Sequence, residues 1–308
     1  VTAVHSVLSR EAMTPWPGLA PLGRLVETGT RRQRVFVFDS GALPHAPRRA
    51  PCLVLVHGLG DEADTWRHLF PLLARSNRVI AMDLPGFGRS PAAGRTNLMK
   101  CARTVVSLVR DYAAQPSILV GSSVGAVIAQ MAAIQDPQNV RALACIDGGL
   151  PQPPAALTAM LPMILPFSGE RIYTAFRSDH DAAYASLNPY YSDFDSLPRA
   201  DRDFLRSRVI DRVHSNTQRR AYFSLLRSLV LWDMLRRDWF RRKTRAFTTP
   251  VLLAWGSDDR IIPRAAMDAI AAAVPHAQRR LILGAGHLPQ QERPAKLAEL
   301  IEDFISSL

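Results

Sequence analysis

The stretch that most constrains this chain is Leu119-Val120-Gly121-Ser122-Ser123-Val124-Gly125, an apolar run ending in Gly-x-Ser-x-Gly. Residues 117–120 read as a buried strand, and residues 124–135, rich in Ala, Ile and Met, read as a helix. Ser123 then stands on a sharp strand-to-helix turn. Glycine is needed at 121 and 125 because a side chain at either position would crowd so tight a backbone. Such a turn lifts the serine hydroxyl above the sheet and points the amide end of the helix at it. The motif alone is common by chance, so its weight depends on what surrounds it.

Strands and helices alternate along most of the remaining chain. Residues 24–27 and 33–39 read as a hairpin, with Val35 and Val37 facing one way and Phe36 and Phe38 the other. The apolar run at 52–56 reads as a strand buried on both faces, 78–82 as another buried strand, and 140–146, 251–255 and 280–283 as further strands of the sheet. Helical periodicity covers 96–114, 263–273 and 294–306. This alternation predicts an α/β fold, a mostly parallel sheet flanked by helices. Between residues 150 and 249 the pattern stops, giving way to Pro-broken apolar pieces and Arg-rich helical segments. The expected division is a core of residues 1–149 and 247–308, with a helical cap of 150–246 inserted after the sixth strand. That insertion falls at the sheet edge where ligands bind in such folds.

A serine becomes nucleophilic at neutral pH when a base takes its proton, a carboxylate orients the base, and donors receive the oxyanion. His287 lies in a glycine-flanked loop after the last strand, Gly284-Ala285-Gly286-His287-Leu288-Pro289. Asp259, in Gly256-Ser257-Asp258-Asp259-Arg260, follows the strand before it. The order Ser, Asp, His, each on a loop after a strand, is the one that a nucleophile elbow requires. The amides of Val124 and of Leu59, just after His57-Gly58, are the candidate oxyanion donors. Asp147, at the end of another strand, is an alternative acid. His57 is better placed to hold its loop than to act as base. No residue spacing suggests a metal site, and His57-Gly58-Leu59-Gly60 is not a phosphate-binding fingerprint, so neither metal nor nucleotide cofactor is expected.

Four motifs in order, His-Gly-Leu-Gly at 57–60, Asp-Leu-Pro-Gly-Phe-Gly-Arg-Ser at 83–90, Gly-Ser-Ser-Val-Gly at 121–125 and the Trp255-to-Pro294 tail, resemble the α/β-hydrolase fold superfamily, in its cap-containing serine hydrolases. The resemblance covers residues 24–149 and 247–307. It implies that the acid is Asp259 rather than Asp258, that Asp83 and Arg89 build their turn, and that Glu292 steadies the His287 loop. Serine at 123 argues against the dehalogenases and epoxide hydrolases of this fold, which carry aspartate there. Ser122, Val124 and Ala126 depart from several subfamilies and leave the subfamily open.

The expected chemistry is hydrolysis of a carboxylic ester or thioester with a hydrophobic acyl or alcohol group, through an acyl-enzyme. The alternatives are carbon–carbon hydrolysis of a vinylogous diketone, acyl transfer or hydrolysis on a carrier-bound acyl group, and a ligand-binding protein with an idle triad. The expected pocket is mainly apolar, without a buried charge, and draws on Ser122, Trp66, Met160, Met163, Trp232 and Leu288. In the cap, residues 219–243 mix aromatic and aliphatic residues with eight basic ones. They read as helices packed on the core, as a pocket wall, or as a basic amphipathic segment on a membrane. A net charge of +11 attracts anions, so an acidic carrier protein or an anionic membrane surface is an expected partner beside the small-molecule substrate. No nucleic-acid partner is expected. Three cysteines without metal-ligand spacing read as buried thiols, and with no export signal or apolar span visible they point to the cytoplasm.

Overall fold

The computed structural model describes residues 13–41, 51–92, 94–113, 116–150 and 161–308. Gly23–Thr28 (β1) pairs antiparallel with Gln33–Asp39 (β2). The alternation in β2 sends Val35 and Val37 into one hydrophobic cluster and Phe36 and Phe38 into the opposite one. Behind the hairpin come Cys52–Val56 (β3), Arg78–Met82 (β4), Ser117–Ser122 (β5), Val140–Ile146 (β6), Val251–Gly256 (β7) and Gln278–Ile282 (β8). They form one eight-stranded sheet in the order β1-β2-β4-β3-β5-β6-β7-β8. From β4 to β8 every pairing is parallel.

All five residues of β3 are buried because the sheet is covered on both faces. Leu69–Leu73 (α1) follows a short 3-10 turn at Ala63–Trp66. Leu98–Leu108 (α2) starts where the Asn97 side chain caps the Lys100 amide at 2.9 Å, and a π-turn over Val109–Ala113 extends it. Val124–Gln135 (α3) springs from the end of β5 and is buried nearly all round. The sheet ends at β8. This is an edge strand with Arg279 and Arg280 exposed, and charged side chains on an edge discourage pairing with another chain.

Every described element between β6 and β7 is helical: Leu161–Ile164 (α4), Ser168–Ala175 (α5), His180–Ala185 (α6), Arg199–His214 (α7) and Asn216–Arg245 (α8), with a 3-10 turn at Asn188–Tyr190. The 30-residue α8 begins where the Ser215 side chain caps the Gln218 amide. It belongs to the core as much as to the cap, since Leu225, Leu229 and Phe240 join the cluster formed by α2, α3 and the sheet. Ala265–Ala273 (α9), Pro289–Glu292 (α10) and Pro294–Ser306 (α11) complete the chain. Cys52, Cys101 and Cys145 are free and buried. No helix among the described residues is long and apolar enough to cross a membrane.

Candidate active site

Ser123 occupies a left-handed backbone conformation, φ 56° and ψ −121°, which a non-glycine residue adopts only when its surroundings hold it there. Its N–H donates to the Ile146 carbonyl of β6 at 2.8 Å. The neighbouring segments are pressed so close that a Cβ on Gly125 would fall on the Val56 carbonyl oxygen, and one on Gly148 on the Ser123 carbonyl. A Cβ on Gly58 would approach the Ser123 Cβ to 3.3 Å. These contacts bring the Leu59 loop and the start of α3 together around one serine. Val124 is the first residue of α3, where amides lack intrahelical partners.

His287 reaches the same place from the loop after β8. Its Nδ1–H donates to Asp259 Oδ2 at 2.9 Å, in a contact where both side chains are almost fully buried. Asp259 Oδ1 accepts from the Ile261 and Ile262 amides at 2.8 and 3.0 Å, so the carboxylate is fixed before it meets the imidazole. Asp258 points elsewhere, accepting from Ser192 and Ser257. Glu292 braces the histidine loop: one oxygen accepts from the Gly286 amide and the other from the Ser192 amide of the cap, each at 2.7 Å. The His287 N–H donates to the Tyr190 carbonyl, also from the cap.

Asp147 makes no hydrogen bond to the imidazole among the described residues. Its Oδ1 accepts from the Gly256 amide at 2.8 Å, while its buried Oδ2 has no partner among the described residues. Burial, together with the charge of neighbouring Asp259, pushes this carboxyl well above the usual range. The hydrogen bond at His287 Nδ1 goes to Asp259, so Asp259 is the acid placed to orient the ring. His57 is likewise committed. Its Nε2 accepts the Leu84 amide at 2.9 Å and its Nδ1 faces the Gly58 carbonyl at 2.7 Å, so the ring ties two loops together. Burial lowers its pKa and keeps it neutral. The adjoining turn is held by Arg89, whose guanidinium bonds both oxygens of Asp83 and also reaches Asp64.

Ser123, His287 and Leu59 open onto one cavity of about 300 Å³. Ser122, Met163 and Leu288 also line it, with Ser122 buried and accepting from Gln290. Met160 lies outside the described residues. Trp66 and Trp232 are corrections. The turn after the Leu59 loop tucks Trp66 under the sheet, into the cluster with α1 and α11, where it has no exposure. Trp232 packs on Trp239, ten residues and roughly 15 Å further along α8 than the cavity-lining Tyr222.

The wall is also less apolar than expected. Arg212, on α7, reaches into it and donates to both oxygens of Glu62 at 2.8 and 2.7 Å and to Asp61 at 2.5 Å. Arg212 is the one lysine or arginine among the described lining residues. Tyr173, Tyr190, Tyr191 and Tyr222 complete an aromatic rim. No spacing signal separates Arg212 from the other arginines of the cap, and the tyrosines carry no motif, so the sequence offered no means of finding either.

A family profile described as alpha/beta hydrolase fold matches residues 51–294. The chain is 29% identical to the pimeloyl-(acyl-carrier protein) methyl ester esterase of Methylococcus capsulatus, over 84% of this chain and 96% of that one. It is 25% identical to a 2-hydroxy-6-oxononadienedioate/2-hydroxy-6-oxononatrienedioate hydrolase of Cupriavidus pinatubonensis, over 92% and 94%. Among solved structures, the 2-hydroxy-6-oxo-6-phenylhexa-2,4-dienoate hydrolase of a Rhodococcus strain superposes with a TM-score of 0.72 at 21% identity, covering 92% of this chain and 98% of that one.

Proposed function

Because the chain belongs to the alpha/beta hydrolase fold family and is a hydrolase, we propose that it cleaves uncharged carboxylic esters or thioesters through an acyl-enzyme on Ser123. In this mechanism His287 Nε2 takes the Ser123 proton as Oγ attacks the carbonyl carbon. Asp259 holds the Nδ1–H and stabilises the imidazolium, while the Val124 and Leu59 amides receive the oxyanion. The imidazolium then protonates the departing alcohol or thiol. A water that gives its proton to His287 attacks the acyl-enzyme and releases the acid.

One observation supports an uncharged substrate over an anionic one: Arg212, the cavity's guanidinium, already faces two carboxylates. The dienoate substrates named for two of the similar proteins carry a carboxylate, which here would meet Asp61 and Glu62 rather than an unpaired cation. The esterase relative is named for a methyl ester, the class of bond this reading favours.

The test is intact mass after exposure to a small fluorophosphonate, for wild type and Ser123→Ala, followed by rates on an uncharged ester, its thioester and a carboxylate-bearing vinylogous diketone. A single adduct on the wild type alone, with turnover of the ester or thioester, is the expected outcome. Ser123→Ala should lower kcat by on the order of a million-fold. An unmodified, folded wild type, or a rate on the diketone exceeding that on the ester, would overturn the reading.

A further inference from the structure

The cap carries an outward face that the reaction at Ser123 leaves unexplained. Leu231, Met234 and Leu235 are exposed on one side of α8, Leu235 by 75%. Their spacing of three and four residues makes a stripe. Beside it stand Leu165 and Phe167, the latter 82% exposed. Arg227 holds the two parts together, donating to the Ile164 carbonyl at 3.0 Å and pairing with Glu170, one helical turn before Leu231. The stripe runs directly into cations. Arg236, Arg241, Arg242, Lys243 and Arg245 are exposed on the last turns of α8 and have no ion-pair partner among the described residues, while Asp238 is the one exposed carboxylate between them. The segment that presents Leu165 and Phe167 also supplies Met163 to the wall of the catalytic cavity.

We infer that this face docks the protein on an anionic lipid bilayer, with Leu165, Phe167, Leu231, Met234 and Leu235 entering the headgroup boundary and the C-terminal cations of α8 meeting the lipid phosphates. Large apolar side chains framed by unpaired cations on one helix are what an interfacial helix requires. An acidic carrier protein would satisfy the cations but leave the leucines in water. A second copy of this chain, meeting the same face across a two-fold axis, would oppose cation to cation. Docking does not depend on the chemistry at Ser123. Its use, the uptake of an amphiphilic ester beside Met163, rests on the hydrolase reading.

The experiment is co-sedimentation of the full chain with vesicles of phosphatidylcholine alone and of phosphatidylcholine mixed with phosphatidylglycerol, at low and high salt. Binding to the mixed vesicles that weakens with salt is expected, and Ser123→Ala should bind as wild type does, which separates docking from catalysis. Leu231→Gln with Leu235→Gln, and Arg241→Gln with Arg242→Gln and Lys243→Gln, should each lower partitioning on the order of 100-fold. Both sets should keep the wild-type melting temperature and rate on a short water-soluble ester. The inference is overturned if wild type stays in the supernatant with mixed vesicles, or if both sets bind as wild type does. It also fails if a soluble acidic carrier protein is retained where vesicles are not, or if the leucine variants only break a dimer.

Discussion

Glu62→Gln offers a quantitative test of the electrostatics at the cap–core junction. Glu62 is fully buried, and the single guanidinium of Arg212 serves both it and Asp61. Burial, with the negative charge of Asp61 adding to it, raises the Glu62 carboxyl from 4.5 to about 7 against the pull of Arg212. The folded protein therefore binds this proton more tightly than the unfolded chain. The stability that the bound proton contributes is fully present below pH 4.5 and is lost as pH rises through about 7. At about 1.36 kcal/mol per pH unit, the loss across that window is about 3 kcal/mol. Glutamine keeps the shape and cannot ionise, so the variant carries a constant offset instead. Urea unfolding of both proteins from about pH 4 to about pH 8 measures the difference, which should move in favour of the variant by about 3 kcal/mol over the window and stay flat above it. Parallel curves would refute the reasoning, because they would mean that Glu62 is ionised beside Arg212 throughout.

Three further outcomes follow from the geometry. Asp259→Asn should lower kcat/KM about ten-thousand-fold, whereas Asp147→Asn, which leaves the His287–Asp259 hydrogen bond in place, should stay within a few-fold; equal losses would mean that the orienting acid is misassigned. Gly125→Ala places a methyl on the Val56 carbonyl and should destabilise the fold by about 3 kcal/mol, read as a drop in melting temperature. Arg212→Met leaves Asp61 and Glu62 facing one another and should cost about 3–5 kcal/mol at neutral pH. Denaturation near pH 5, where Glu62 carries its proton, should find a smaller loss.

Local pattern carried the architecture in this chain. Residues 52–56, 78–82 and 140–146 are apolar at every or nearly every position, and such short runs have few stable options besides a strand covered on both faces. The elbow was legible for a related reason. Gly121 and Gly125 are demanded by a backbone path on which a Cβ would meet neighbouring main-chain atoms, and the sharp turn forces that signature to either side of Ser123. His287 and Asp259 were legible as loop residues after known strands, because chain order along a parallel sheet sets which loops share an edge.

What the sequence determined by itself was thus the layered α/β fold and the loops that meet at Ser123. Only the tertiary structure decided what surrounds them. Trp66 turned under the sheet, Trp232 stood too far along α8, and Arg212 entered the cavity to meet Asp61 and Glu62. Between Asp259 and Asp147 it also chose the acid that orients His287. The physical reason is one of range. Strand periodicity and turn geometry act between neighbours in the chain, so they leave a mark in the sequence. A pocket wall is built from contacts such as Arg212 with Glu62, separated by 150 residues, and the packing of whole helices, not any local rule, brings such residues together.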